Sequence, residues 1–99
     1  MSFGENQPLL DATTLPLYET SDPEVIARFG ASVRAIVMSN TDYAYRYRHL
    51  AAKHKMMPPP SHSRIFAGYL VVRKLGRKDE YETWMPDHAF DDLYVLRVA

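Results

Sequence analysis

The chain of 99 residues contains no cysteine. That excludes a disulfide scaffold, a thiolate zinc site, an iron–sulfur cluster and a cysteine nucleophile. Glycine is scarce, and Gly4, Gly30, Gly68 and Gly76 each stand alone. A phosphate-cradling loop or a dinucleotide fingerprint needs several glycines close together, so neither is present. No apolar run approaches the roughly 18 residues that a membrane helix requires. Residues 1–7 put no basic residue ahead of an apolar stretch, so no secretory leader is expected and a cytoplasmic location is the default. The last absence is local: residues 43–78 hold no acid at all.

What is present is ordinary for one small domain. Apolar residues make up 46% and charged residues 24%, which argues against disorder along the whole chain. The net charge is zero, but only by cancellation. Residues 1–42 carry six acids against two bases, and residues 79–99 carry six acids against Arg97 alone. The block between them carries nine bases: Arg46, Arg48, Lys53, Lys55, Arg64, Arg73, Lys74, Arg77 and Lys78. Either the acidic ends fold back onto the basic middle, or the middle forms an anion-binding face.

Residues 1–20 contain Pro8 and Pro16, which forbid a regular helix there. They read as a partly ordered N-terminal arm, mobile over residues 1–8, with Leu15, Leu17 and Tyr18 forming a short edge strand or lying across the core. Ser21-Asp22-Pro23-Glu24 is a helix start, with Ser21 as cap and Glu24 completing a capping box. Val25, Ile26, Phe29, Val33, Ile36 and Val37 then follow helical spacing and predict a helix over 22–38. Gly30 weakens that helix; if it breaks there, residues 32–38 become a strand instead.

Ser39-Asn40-Thr41-Asp42 is a turn and a second cap, opening a helix over 42–56. Tyr43, Tyr47, Leu50, Ala51 and His54 share one face of it, and Tyr45 points away. Pro58-Pro59-Pro60 ends that helix and, with Ser61, His62 and Ser63, makes a stiff extended connector over 58–63. Ile65 to Leu75 is the strongest strand, apolar on both faces up to Val72. A turn over 75–79 returns the chain as a strand over 80–85, giving a hairpin. Pro86 and Asp87 open a short helix, and a last strand over 94–98 places Val95 and Leu96 in the core.

These elements predict an α+β fold, with two N-terminal helices packed on one side of a small antiparallel sheet of about three strands and a short C-terminal helix. A single domain over 21–99 has a helical half (21–57), the proline-rich connector and a β-rich half (64–99). Phe29, Val33, Tyr47, Leu70, Trp84, Phe90 and Tyr94 are the expected core. Trp84, Phe90 and Tyr94 are expected to pack together, because their spacing places them across one hairpin and helix. Gly68, inside a strand, predicts a bulge or the close approach of an aromatic side chain.

Gly68-Tyr69-Leu70-Val71-Val72, then Tyr81, Thr83-Trp84, Pro86, Phe90 and Tyr94, resemble the PGDYG domain, a small module of phage and prophage proteins. The likeness covers roughly residues 66–95. Ala67-Gly68-Tyr69 stands where that family has Pro-Gly-Asp-Tyr. The resemblance implies a strand–hairpin–helix element and a mobile-element origin, and no catalytic residue.

No constellation of side chains points to an enzyme. His49 and His54 are five apart, which does not put two imidazoles on one helix face, and no metal site or cofactor is expected. Ser61, His62 and Ser63 are adjacent on an extended segment and point apart, so they make no nucleophile–base pair. The basic block remains. Its aromatic interleaving, Tyr43, Tyr45 and Tyr47 between Arg46 and Arg48, suits an anionic partner. The candidate face is Tyr45, Arg46, Arg48, His49, Lys53 and Lys55 on the second helix, with Arg73, Lys74, Arg77 and Lys78 at the hairpin end. The function expected is therefore a non-catalytic interaction module for an acidic protein surface or a nucleic acid. Its rivals are a homodimer formed through an exposed sheet edge and a small enzyme with its site spread over loops. No membrane and no small-molecule substrate are expected.

Overall fold

The computed structural model describes residues 7–61 and 64–97. The expected mobility of residues 1–8 falls almost entirely outside these, as do His62 and Ser63 of the connector and Val98 of the last strand; Pro8, within them, is buried. Five antiparallel strands form one sheet: β1 (Leu17–Glu19), β2 (Ser32–Val37), β3 (Gly68–Arg73), β4 (Tyr81–Pro86) and β5 (Val95–Leu96). Their order across the sheet is β4-β3-β2-β1-β5. Among the described residues three α-helices, α1 (Pro23–Phe29), α2 (Asn40–Leu50) and α3 (Asp87–Leu93), and two 3-10 turns (Gln7–Leu9 and Ala12–Thr14) complete the fold. The α+β character is as expected, but the sheet has five strands rather than about three.

The two extra strands have physical causes. The predicted helix over 22–38 is broken at Gly30, whose φ of +94° only glycine adopts readily. Its amide closes the last turn of α1 on the Ile26 carbonyl. Beyond it the side chains alternate: Val33 and Ala35 are buried on one face, while Arg34 and Ile36 point to the other. The residue that caps α1 is Asp22, not Ser21; its carboxylate accepts from the Glu24 and Val25 amides at 2.9 and 3.2 Å. Strand β1, too short to show a period, lies inside the sheet between β2 and β5.

Alternation along the strands divides the core in two. On one face Val33, Ala35, Val71, Met85, Phe90 and Tyr94 pack together, with Val25 of α1 and Leu93 of α3 against them. On the other, Leu15, Met38, Tyr43, Leu70 and Val72 pack with Leu10, Met56 and Trp84. The helices α1 and α2 therefore cover opposite faces, not one. Trp84 is also separated from Phe90 and Tyr94: it occupies the β4 position whose side chain points toward α2. Its indole nitrogen donates to the Met38 carbonyl at 2.7 Å. The indole also explains Gly68, since any Cβ there would collide with the Trp84 ring and the Met85 carbonyl. The β3–β4 register runs through Gly68 without a bulge, so close aromatic approach is the reason for the glycine.

The ends of the sheet differ. After α2 the chain turns and residues 55–57 run beside β4: the Glu82 amide donates to the Lys55 carbonyl at 2.9 Å, and the Met57 amide to the Glu82 carbonyl at 2.8 Å. This isolated bridge, parallel in sense, occupies the β4 edge at Glu82. The helix expected to reach residue 56 ends at Leu50. At the far side α3 carries the chain across the sheet to β5, an edge strand on which Val95 and Leu96 are 68% and 53% exposed. They are not core residues, because only β1 lies beside them and neither helix layer extends over that edge.

Candidate functional site

Helix α2 positions the residues of the candidate face. Ser39 caps it, its hydroxyl accepting from the Asp42 amide at 3.1 Å. Asn40, buried, ties its start to the chain ahead of β3: its carbonyl oxygen accepts from the Phe66 amide at 2.7 Å and its amide donates to the Arg64 carbonyl at 2.9 Å.

Three turns of α2 then face the sheet, and one of the inward residues is charged. Arg46, expected on the exposed basic face, is 0% exposed. Its Nε donates to Glu82 Oε1 at 2.7 Å and its Nη2 to Oε2 at 3.0 Å. Its Nη1 donates to the Pro8 and Leu10 carbonyls at 2.9 and 2.6 Å. One guanidinium thus joins α2, β4 and the N-terminal arm, using the fixed fork that suits a bidentate carboxylate. Glu82 is buried with it, and Tyr43 beside them donates its hydroxyl to the Met57 carbonyl. Burial, and then the Glu82 charge, push the Tyr43 phenol well above its usual range.

The outer side of this network opens into a cleft of about 550 Å3. Leu9, Leu10, Leu50 and Val72 give it apolar walls, with Asp11 and His54 at its polar part. His54 Nδ1 lies 3.4 Å from Glu82 Oε2. Asp11 is held below the ordinary carboxylate range, first by the side-chain and backbone hydrogen bonds from Thr13. The carboxylate of Glu82 is already engaged by Arg46, so the polar groups the cleft offers an incoming group include the His54 imidazole, the Asp11 and Glu80 carboxylates and the Lys55 ammonium.

The other predicted residues divide between core and surface. Val33, Leu70, Phe90 and Tyr94 are buried as expected, whereas Phe29, Tyr47 and Trp84 are half-buried. Arg73 is withdrawn from the basic face: its guanidinium lies 4.0 Å from the centroid of the Phe29 ring, and Nη1 donates to the Tyr81 hydroxyl at 3.3 Å. Lys74 is spent on Asp79 at 2.9 Å. That leaves Tyr45, Arg48, His49, Lys53, Lys55, Arg77 and Lys78 exposed. Tyr45 and His49 stack with ring centroids 4.1 Å apart, and the Arg48 guanidinium lies 5.9 Å from the Tyr45 ring. Lys55 Nζ donates to the Lys78 carbonyl at 2.5 Å. The turn after α2 and the hairpin tip therefore meet, which one linear sequence could not show.

Sequence reasoning missed the Arg46–Glu82 pair, His54 beside it and Asn40. Arg46 sits three residues from Tyr43 and four from Leu50, on the inward stripe of the helix, and Glu82 shares a strand face with Trp84. Those positions were the available signal; the charge of the side chains masked it.

No protein-family model matches the chain, and neither a curated protein nor a solved structure matches it. Among the described residues no helix is long and apolar enough to cross a membrane.

Proposed function

We propose that the protein is a non-catalytic interaction module that binds an acidic segment of another protein along an exposed cationic strip. The strip runs from Arg48 and His49 on α2 through Lys53 and Lys55 to Lys78 and Arg77 at the hairpin tip. The observation that supports the reading is the bond from the Lys55 ammonium to the Lys78 carbonyl, which brings the turn after α2 against the hairpin tip. Among the described residues none of Arg48, Lys53, Lys55, Arg77 and Lys78 is in an ion pair, so their charge is available to a partner. The Tyr45–His49 stack adds a flat ring surface beside Arg48.

An acidic protein segment suits the strip better than nucleic acid. The carboxylates of Asp79 and Glu80 stand at the same hairpin tip and oppose a continuous phosphate backbone. The withdrawal of Arg46 and Arg73 also thins the charge that phosphate binding draws on. A peptide can place its own acids between these groups.

Fluorescence anisotropy with a labelled Glu/Asp-rich peptide and with a single-stranded oligonucleotide, each at low and high salt, tests the proposal. The peptide is expected to bind at low salt and to be released as salt screens the strip. The variant R48E/K53E/K55E/K78E is expected to lose binding while its melting temperature stays close to that of the parent chain. Absence of peptide binding at low salt overturns the reading. Preference for the oligonucleotide replaces it with nucleic-acid binding.

A further inference from the structure

Strand β5 leaves one edge of the sheet open, and the register shows which backbone groups it offers. Tyr18 stands opposite Leu96 and Glu19 opposite Val95, and the Arg97 amide donates to the Leu17 carbonyl at 3.0 Å. In antiparallel pairing, bonded and non-bonded pairs alternate. Leu17–Arg97 and Glu19–Val95 are therefore the bonded pairs, and Tyr18–Leu96 is the non-bonded one. The amide and carbonyl of Leu96 consequently point away from β1, out of the sheet. They flank two large aliphatic side chains, Val95 and Leu96, that remain more than half exposed.

We infer that this edge is a homodimer interface in which β5 pairs with β5 of a second copy about a two-fold axis through Leu96. The arrangement is self-complementary. Leu96 of each copy stands opposite Leu96 of the other and exchanges both hydrogen bonds with it, one N–H to one C=O in each direction. The two Leu96 side chains meet on one face. On the other face Val95 stands opposite Arg97 of the second copy, so the charged residue of the edge never opposes itself. Arg97 already lies 3.9 Å from Glu19 of its own chain. In the dimer its row across the sheet continues over Val95 to Glu19 of the second copy, two strands away, so a second carboxylate rather than a cation lies beyond it. The result is one ten-stranded sheet with the order β4-β3-β2-β1-β5-β5-β1-β2-β3-β4. The inference does not rest on the cationic strip, which lies toward the opposite edge.

Sedimentation equilibrium of the full chain, with amide hydrogen exchange at Leu96, tests it. The expected mass is twice the 11.4 kDa of one chain, falling toward one copy on dilution, with Leu96 exchange accelerating in parallel. L96P removes the outward amide hydrogen yet deletes no bond to β1, so it is expected to be monomeric with an unchanged circular dichroism spectrum. L96K sets two ammonium groups against each other at the two-fold axis and is expected to be monomeric as well, which keeps the test open if L96P misfolds. A parent chain that stays at one copy at the highest concentration reached overturns the inference. So does a dimer that survives L96K, or a parent dimer whose Leu96 amide exchanges as fast as in the monomer.

Discussion

On one face of the sheet, rings touch rings. Phe90 stacks on Tyr69 at 4.1 Å and on Tyr94 at 4.9 Å, and Tyr18 meets its edge at 5.0 Å. On the other face a guanidinium with no exposure holds a carboxylate and two main-chain carbonyls. The first face depends on contact and shape, which degrade by degrees when a side chain shrinks. The second depends on charge compensation, which fails when either partner is taken away but loses little when both are replaced by apolar groups. The polar face also decides position: Arg46 has acceptors on three separate segments, so it fixes where the arm lies against α2 and β4.

The sharpest way to break this comparison is Glu82→Ala. It leaves Arg46 buried and uncompensated, and is expected to cost about 3–5 kcal/mol. That is a large part of the roughly 5–15 kcal/mol that holds a small domain together. The double variant R46M/E82L is expected to be more stable than either single change, read from urea midpoints. A double variant as unstable as the worse single one would mean that the pair is net stabilising in itself. On the aromatic face Phe90→Ala is expected to cost about 3 kcal/mol, because the surrounding rings close only part of the cavity. A thermal midpoint that moves by only a degree or two would remove Phe90 from the centre of that face.

Gly68→Ala probes the seam where β3 passes under Trp84. Seating the methyl requires both the indole to shift from its bond with Met38 and the Met85 main chain to move, and about 3 kcal/mol is expected, with a change in tryptophan fluorescence. The mildest effect is alkaline. Burial raises the phenols of Tyr43 on one face and of Tyr69 and Tyr94 on the other. Above about pH 10 the unfolded chain loses protons that the folded chain keeps, so stability falls as pH rises, and below that value their contribution is whole. Denaturation midpoints are expected to be level up to pH 9 and to decline beyond about pH 10. Tyr43→Phe is expected to flatten part of that decline.

Much of the scaffold was legible because it follows period. The β3–β4 hairpin, the short helix opened by Pro86 and Asp87, and the alternative strand after Gly30 all came from alternation, spacing and breaker residues. What stayed hidden depends on neighbours distant in the chain. Leu17 to Glu19 is too short to show a period, and its place inside the sheet is set by β2 and β5. Val95 and Leu96 carry the composition of core residues, and only the strand order reveals them as an edge. Arg46 was assigned to the surface by its charge, although its place among Tyr43, Tyr47 and Leu50 is inward. Its partner Glu82 lies 36 residues away. Of the candidate face, Tyr45, Arg48, His49, Lys53, Lys55, Arg77 and Lys78 are at the surface as read, and the meeting of Lys55 with Lys78 depends on a bond to a main-chain carbonyl.

The pairing of residues 55–57 with β4 has a consequence for how far assembly can go. The chain that occupies that edge at Glu82 continues directly into Pro58, Pro59 and Pro60, which carry no amide hydrogen to offer a further strand. With β5 pairing as inferred, such a sheet would act as a monofunctional unit in the polymer chemist's sense, with one reactive end and one end that offers a further strand few bonds. Two such units that join consume both reactive ends, and growth stops at the pair. A chain with both edges open would add copies without limit and draw out into fibres.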